Sequence, residues 1–234
     1  MSTKPDQPAD SPSNAVPDGL RARNRAQTVR RLEEAAWEIV AEQGFEAATA
    51  DAIAERAGVS RRTFFNYFPR VELVLQERMR EAIAGLVERF LARPNTESMR
   101  ESLAAILTEP FPAAVLEKAV VVFSQSPTSP AARYFLLDAE AAQISQVAEA
   151  VMARAGEAAD PLHAQVVARA VMAAGSVATV AWLDQSRGVV DDHTRMLHLE
   201  LLRQAFSHLY TAFSEPASPD ADLTTPIDTS TRES

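Results

Sequence analysis

The stretch Ser60-Arg61-Arg62-Thr63-Phe64-Phe65-Asn66-Tyr67-Phe68 holds the residues of this sequence best suited to chemistry, and that chemistry is recognition of a polyanion. Two arginines stand in the first turn of a predicted helix, where the positive end of the macrodipole disfavours a cation by about 0.3–1 kcal/mol each. Folding alone does not ask for them. A phosphate reverses the sign, because it is drawn both to the exposed N–H groups of the first turn and to the guanidinium forks. Thr63, Asn66 and Tyr67 add side chains that bond phosphate oxygens or base edges, while Phe64 and Phe68, four apart, turn to the core. Upstream, Arg21, Arg23, Arg25, Arg30 and Arg31 fall within eleven residues free of acids. This basic arm is either the solvated start of a helix or an anchor on the DNA backbone and minor groove. The plain alternative for the whole stretch is a surface helix with solvated arginines.

Other chemistries lack their constellations. The sequence has no GxSxG, no HExxH and no CxxC, and among its seven Gly no two stand close enough to cradle a phosphate. With Cys 0, disulfides, thiolate metal clusters and cysteine nucleophiles are excluded. His193, His198 and His208 sit at spacings of five and ten, which bring no two imidazoles onto one helix face. No catalytic residue, metal or cofactor is expected, and the chain reads as a non-enzyme.

The charge is distributed in the same sense. The formal net charge is -9, yet residues 21–70 carry nine Arg against seven acids, and residues 71–234 carry thirteen basic against twenty-two acidic groups. No uninterrupted apolar run reaches the roughly 18 residues of a membrane span, and the proline-rich, polar residues 1–18 do not read as an export signal. A soluble, cytoplasmic protein is expected.

The elements that must position the nonamer are all helical. Gly is scarce, Ala abundant, and apolar residues recur at three and four. A first helix is expected over about 25–43, with Leu32, Ala35, Ala36, Ile39 and Val40 on one face and Gly44 as a left-handed stop. Thr49 caps a short helix over 51–57, Gly58 and Val59 make a tight turn, and Ser60 caps a third helix over 61–68 that Pro69 ends. Two short helices across such a turn form a helix-turn-helix. Six further helices are expected over 71–91, 99–107, 113–123, from Pro127 and Pro130 to about 154, 162–183 and 192–213. The last places Leu199, Leu202, Phe206, Leu209 and Phe213 at spacings of 3, 4, 3 and 4. With the small-residue face of 162–183, that seam is expected to pair two protomers as a four-helix interface.

Gly44-Phe45-Glu46-Ala47-Ala48-Thr49, Ile53-Ala54, Ala57-Gly58-Val59-Ser60, Thr63-Phe64-Phe65-Asn66-Tyr67-Phe68-Pro69 and Leu73 together resemble the N-terminal domain of the TetR family of transcriptional regulators, over about residues 22–80. The resemblance implies that the first three helices bind DNA, the third in the major groove, and that six more form a dimerising, ligand-binding domain. It divides the chain into a disordered tail 1–21, a helix-turn-helix domain 22–70, a ligand-binding and dimerisation domain 71–214 and a second tail 215–234. By position, Thr49, Ser60 and Tyr67 would meet phosphates, and Arg61, Arg62, Thr63 and Asn66 would read bases or adjacent phosphates. Val71 departs from the family, which often has Lys there; the usual phosphate contact at the start of the fourth helix is missing or falls to Arg70.

The implied activity is a ligand-released repressor that binds a palindromic operator in double-stranded DNA as a homodimer. The effector would be small and mostly apolar, lined by Phe123, Phe135, Met172 and Trp182. The nonamer, and an Ala-rich helix running from Asp160-Pro161 to Trp182-Leu183, resemble a subgroup whose effector is an acyl-CoA; Arg133 or Arg169 would then meet its anionic head. A helical small-molecule enzyme or carrier, or a constitutive architectural DNA binder, are the competing classes. The first needs a polar cluster in a cavity, the second no cavity at all.

Overall fold

Amphipathic spacing decides every element of the computed structural model, which describes residues 18–211, leaving out the side chains of residues 18, 20 and 21. Among the described residues there are nine α-helices, two single 3-10 turns and no strand. The chain is therefore all-α, as its composition implies. Helix α1 (Asp18–Gln43) begins earlier than its apolar pattern, and its inward stripe of Leu32, Ala35, Ala36, Ile39 and Val40 is 0–4% exposed. Gly44 stops it with φ +87 and ψ 171, a conformation open to glycine, but extended in ψ and so not the left-handed helical cap expected. The remaining parts of the expected tails, and Phe213, lie outside the described residues.

A 3-10 turn (Phe45–Ala47) leads to α2 (Ala50–Arg56) and α3 (Arg61–Tyr67), and then come α4 (Val71–Leu91), α5 (Met99–Ile106), α6 (Ala113–Gln125), α7 (Pro130–Ala155), α8 (Pro161–Ser186) and α9 (Asp192–Thr211). Their starts are sequence-coded. Ser98 and Glu101 form a reciprocal capping box at α5. Asp160 caps α8, with Pro161 in the first position. At α9 the Thr194 N–H donates to Asp191 Oδ1 (2.8 Å) while the Asp191 N–H donates to Thr194 Oγ1 (2.9 Å), and these bonds hold the Asp191 carboxyl below its ordinary range.

The chain divides into two compact units: residues up to Glu77 together with Gln125–Phe135, and Arg78–Ser124 together with Leu136 onward. In the first, Ile53, Phe64, Phe68 and Val74 complete the core under α1. Gln125–Phe135 joins it through hydrogen bonds and ring contacts. Gln125 Nε2 donates to the Val40 carbonyl (3.1 Å), Ser129 Oγ donates to Glu46 Oε1 (2.7 Å), and the Phe135 ring lies 5.3 Å from Phe45 and 6.2 Å from Trp37.

In the second unit, Phe90, Leu103, Ile106, Leu107, Ala150 and Leu199 form one apolar cluster, and Ile144, Ala148, Val151, Ala164 and Ala168 form another. Arg154 sits beside the first. Its guanidinium donates to the carbonyls of Phe90 (3.0 Å), Pro94 (2.9 Å) and Glu97 (3.2 Å) and to Ser102 Oγ (2.8 Å), so the cation lies at the carbonyl end of α4, where the dipole favours it. Helices α8 and α9 pack along each other, with Trp182 at 0% exposure and its Nε1–H on the Thr194 carbonyl (2.7 Å).

Two expectations are refined here. Part of the α9 seam is covered within its own chain: Leu199 and Leu202 are 1% and 5% exposed and Phe206 packs on the first cluster, while Leu209 is half-buried. The α8 face remains open, with Leu162, Val166, Val177 and Val180 exposed along it. Second, α8 has no uninterrupted apolar run of 18 residues, being broken by Gln165 and Arg169, yet by length and composition it is apolar enough to cross a membrane. Its Ala164, Ala168, Ala178 and Trp182 side packs inside the bundle, which accounts for that half of its apolarity.

Candidate nucleic-acid interface

The turn between α2 and α3 is fixed by local chemistry. Thr49 is extended and its Oγ1 accepts from the Ala52 N–H (3.2 Å), satisfying one orphan donor of α2. At the other end Gly58 takes φ +66, and the Val59 N–H reaches back to the Ala54 carbonyl (2.9 Å) in a six-residue closure. Ser60 Oγ then accepts from the Thr63 N–H (3.0 Å) and starts α3. Phe64 and Phe68, 0% and 5% exposed, anchor α3 in the core and thereby turn its other side outward.

On that outward side Arg61, Arg62 and Asn66 are exposed, while Thr63 and Tyr67 are half-buried. Arg62 and Asn66 form no side-chain bond among the described residues. Thr63 and Ser60 share a hydrogen bond between their hydroxyls (2.8 Å). Arg61 is engaged: Nη1 donates to Asp51 Oδ2 at 2.6 Å, and its guanidinium lies over the Phe65 ring, 5.4 Å from the centroid. Thr49, Ser60, Arg61, Arg62, Thr63, Asn66 and Tyr67 thus all lie on two short helices and the caps that start them.

The basic arm turns out to have several roles. Arg25 lies over the Tyr67 ring at 5.0 Å, which joins the start of α1 to α3. Arg31 Nη2 donates to the Ala57 carbonyl at the end of α2, and a Cβ on Gly58 would come within 3.1 Å of the same nitrogen. Arg31 is therefore a brace of the turn rather than a free anchor. Arg56 pairs with Glu42 (2.8 Å) and ties α2 to α1. Arg23 and Arg30 remain exposed and without bonds among the described residues. Arg70 is exposed just before α4.

Sequence reasoning missed Asp51 and Phe65 as partners of Arg61. A signal was present in the acid in the first turn of one short helix and the arginine in the first turn of the next, but the crossing of the two helices has to be known before the pair can be read. The four residues expected to line an effector cavity are not gathered into one cluster. Phe135 belongs to the first unit with Trp37 and Phe45. Trp182, at 0% exposure, is held with its Nε1–H on the Thr194 carbonyl (2.7 Å). Met172 packs on the α7–α8 cluster, and Phe123 is half-buried on α6.

Residues 32–72, which span the second half of α1 through the start of α4, match the family model described as bacterial regulatory proteins, tetR family. Among solved structures, the chain is similar to the TetR-family repressor FadR of Thermus thermophilus, in complex with lauroyl-CoA, at 22% identity, covering 82% of this chain and 97% of that one, with a TM-score of 0.48. It is also similar to the fatty acid degradation regulator FadR of Bacillus halodurans (16% identity, 81% and 97% covered, TM-score 0.46). A third similar structure is a putative TetR-family regulator from Rhodococcus sp. (19%, 81% and 97%, TM-score 0.45). No curated protein matches the chain. The caps, the turn and the exposed arginine face of α3 all lie inside the segment that matches the tetR family of bacterial regulatory proteins.

Proposed function

We propose that this protein is a homodimeric repressor that binds a two-fold operator through α3 and leaves it when a small, mostly apolar effector binds the second unit. The observation that carries the DNA reading is the split of α3 into a locked inner side, Phe64 and Phe68, and an outer side on which Arg62 and Asn66 form no bond. Such a helix presents unused donors at fixed positions, which base reading requires. The dimer reading rests on α8: Leu162, Val166, Val177 and Val180 are 73%, 58%, 66% and 50% exposed. Exposed apolar residues on one face of a helix, here with Arg169 among them, mark an interaction surface, and a two-fold pairing of it would set two α3 helices on half-sites about 34 Å apart or a compatible spacing.

The effector follows from composition. Helices α6 to α8 supply Val, Ala, Phe and Met with few convergent charges, so an unpaired ligand charge would be costly inside, and the half-buried Phe123 and Met172 are the candidate contacts that remain. An acyl-CoA fits that chemistry with its chain inside and its head outside. Release of DNA would then be linkage: an effector favouring a form with the wrong α3 spacing weakens DNA binding by the same factor that DNA weakens effector binding.

The test is selection of duplexes from a randomised pool by the full-length protein. A two-fold consensus is expected. On that duplex Arg62→Ala should lose about 1–3 kcal/mol and much less on random DNA, whereas Tyr67→Phe should weaken both alike. Failure to enrich any sequence would overturn the regulator reading.

A further inference from the structure

We propose that Asp51 is a positioning and specificity-determining residue of the DNA interface: with Phe65 it fixes the direction in which Arg61 presents its guanidinium, while its charge lowers the attraction to DNA of any sequence. The inference rests on the reading of α3 as the recognition helix.

The geometry is a three-part unit across the turn. Asp51 stands in the first turn of α2 and Arg61 in the first turn of α3, ten residues on. Nη1 of Arg61 meets Asp51 Oδ2 at 2.6 Å, while the guanidinium plane lies over the exposed Phe65 ring at 5.4 Å. An arginine on a helix surface ordinarily samples many rotamers, and ordering it on a base edge carries an entropic cost. Here one edge is held by a carboxylate and one face by a ring, so that cost has already been met by the fold. Only one nitrogen is taken by the pair. The Nε and second Nη donors stay available for the bidentate contact an arginine makes with a guanine edge.

The carboxylate has a second effect. Asp51 and Arg61 are 65% and 63% exposed at the side chain, so the pair faces solvent and adds little to folding. Its consequence appears when a polyanion approaches. On random DNA Arg61 has no base to reward its fixed direction, and the Asp51 charge repels the phosphates. On the matching sequence the directed arginine gains its bidentate partner. Asp51 therefore weakens general attraction while it sharpens discrimination, which is how a repulsive element confers specificity.

Arg62, the next residue, has no such holder, and the contrast defines the control. The probes are the duplex recovered by the wild-type protein from a randomised pool and a random-sequence duplex of the same length, at one fixed salt concentration. Asp51→Ala should bind random DNA more tightly and lower the ratio of specific to random affinity by roughly ten-fold, a typical bidentate contact. Asp51→Glu should restore most of that ratio. In an Arg61→Ala background, removing Asp51 should leave the ratio unchanged, and the base preference lost with Asp51→Ala should be the one lost with Arg61→Ala. A ratio unmoved by Asp51→Ala, with both duplexes bound more tightly by the same factor, would overturn the proposal and leave Asp51 a plain surface charge. If the wild type recovers no consensus, the recognition-helix reading fails first, and the two failures are told apart by that initial selection.

Discussion

His198 gives the sharpest test of the packing between α8 and α9. Its ring is 3% exposed, lies 5.4 Å from Trp182 and 5.7 Å from Phe111, and has Nε2 at 3.1 Å from Thr179 Oγ1. The Thr179 hydroxyl lies 3.0 Å from the Gly175 carbonyl, and with its one proton placed there Nε2 is the donor in the pair with Thr179. The neutral ring therefore carries its hydrogen on Nε2, and Nδ1 is a buried acceptor with no partner among the described residues. Protonation would place a hydrogen on Nδ1 with nothing to receive it, next to two aromatic rings and near Arg195, whose Nε donates to the Phe111 carbonyl (3.1 Å). Burial accordingly pushes the His198 pKa from 6.5 down to about 4.

The sign follows from which state binds the proton. Between pH 6.5 and 4 the unfolded chain takes up a proton at His198 that the folded chain refuses, so stability is intact above 6.5 and falls as pH drops toward 4. At 1.36 kcal/mol per pH unit the full loss is about 3 kcal/mol, of which about 2 kcal/mol has gone by pH 5. The perturbation is His198→Gln, which keeps an amide N–H for Thr179 and cannot titrate. Urea unfolding of both proteins at pH 8, 6.5 and 5, followed by far-UV circular dichroism, gives the difference in stability at each pH. That difference should shift by about 2 kcal/mol against the wild type between pH 8 and 5. Parallel stabilities of the two proteins across that range would refute the tautomer argument and the burial on which it rests.

Two other perturbations probe the second unit. Arg154→Met keeps the apolar stem but removes the cation bonded to the Phe90, Pro94 and Glu97 carbonyls, the first two of which keep a backbone N–H, and should lower the unfolding free energy by about 1.5–3 kcal/mol in the same urea assay. Under the α8 pairing proposed above, Val177→Asp, at a position 66% exposed in the protomer, should leave the circular dichroism spectrum unchanged and reduce the mass seen by light scattering at micromolar concentration from that of two chains to that of one.

Much of the DNA-binding unit is legible because its signals are local. Thr49, Gly58 and Ser60 specify where α2 ends and α3 begins by hydrogen bonds spanning a few residues, and the four-residue spacing of Phe64 and Phe68 orients α3. The misreadings are long-range. Phe135 looks like any aromatic on a helix, and only its meeting with Trp37 and Phe45, some ninety residues upstream, makes it core of the first unit. The seam of α9 repeats at three and four as a dimer seam does, but so does any helix laid along a neighbour in its own chain. Periodicity tells that Leu199 and Leu202 are covered and says nothing of which chain covers them. The α8 stripe could be recognised only once its opposite side was seen to be filled.

The charge of the arm shows how far composition can mislead in detail while being right in sign. Residues 21–70 carry nine arginines, and the surplus over acids points to a polyanion. Yet Arg31 braces the Ala57 carbonyl, Arg56 is paired with Glu42, Arg61 with Asp51, and Arg25 lies on Tyr67. Each of these bonds fixes a part of the turn or of α3, so the arginines that build the interface are largely not the ones left over to bind. Within residues 22–70, Arg23, Arg30 and Arg62 are exposed cations without bonds among the described residues. Of those only Arg62 stands on α3, where base edges can be read, while Arg23 and Arg30 on α1 can add backbone attraction that carries no sequence information. Under the DNA reading proposed above, discrimination between sequences would fall to a small group on α3, Arg62, Asn66 and Arg61, and not to the size of the positive patch.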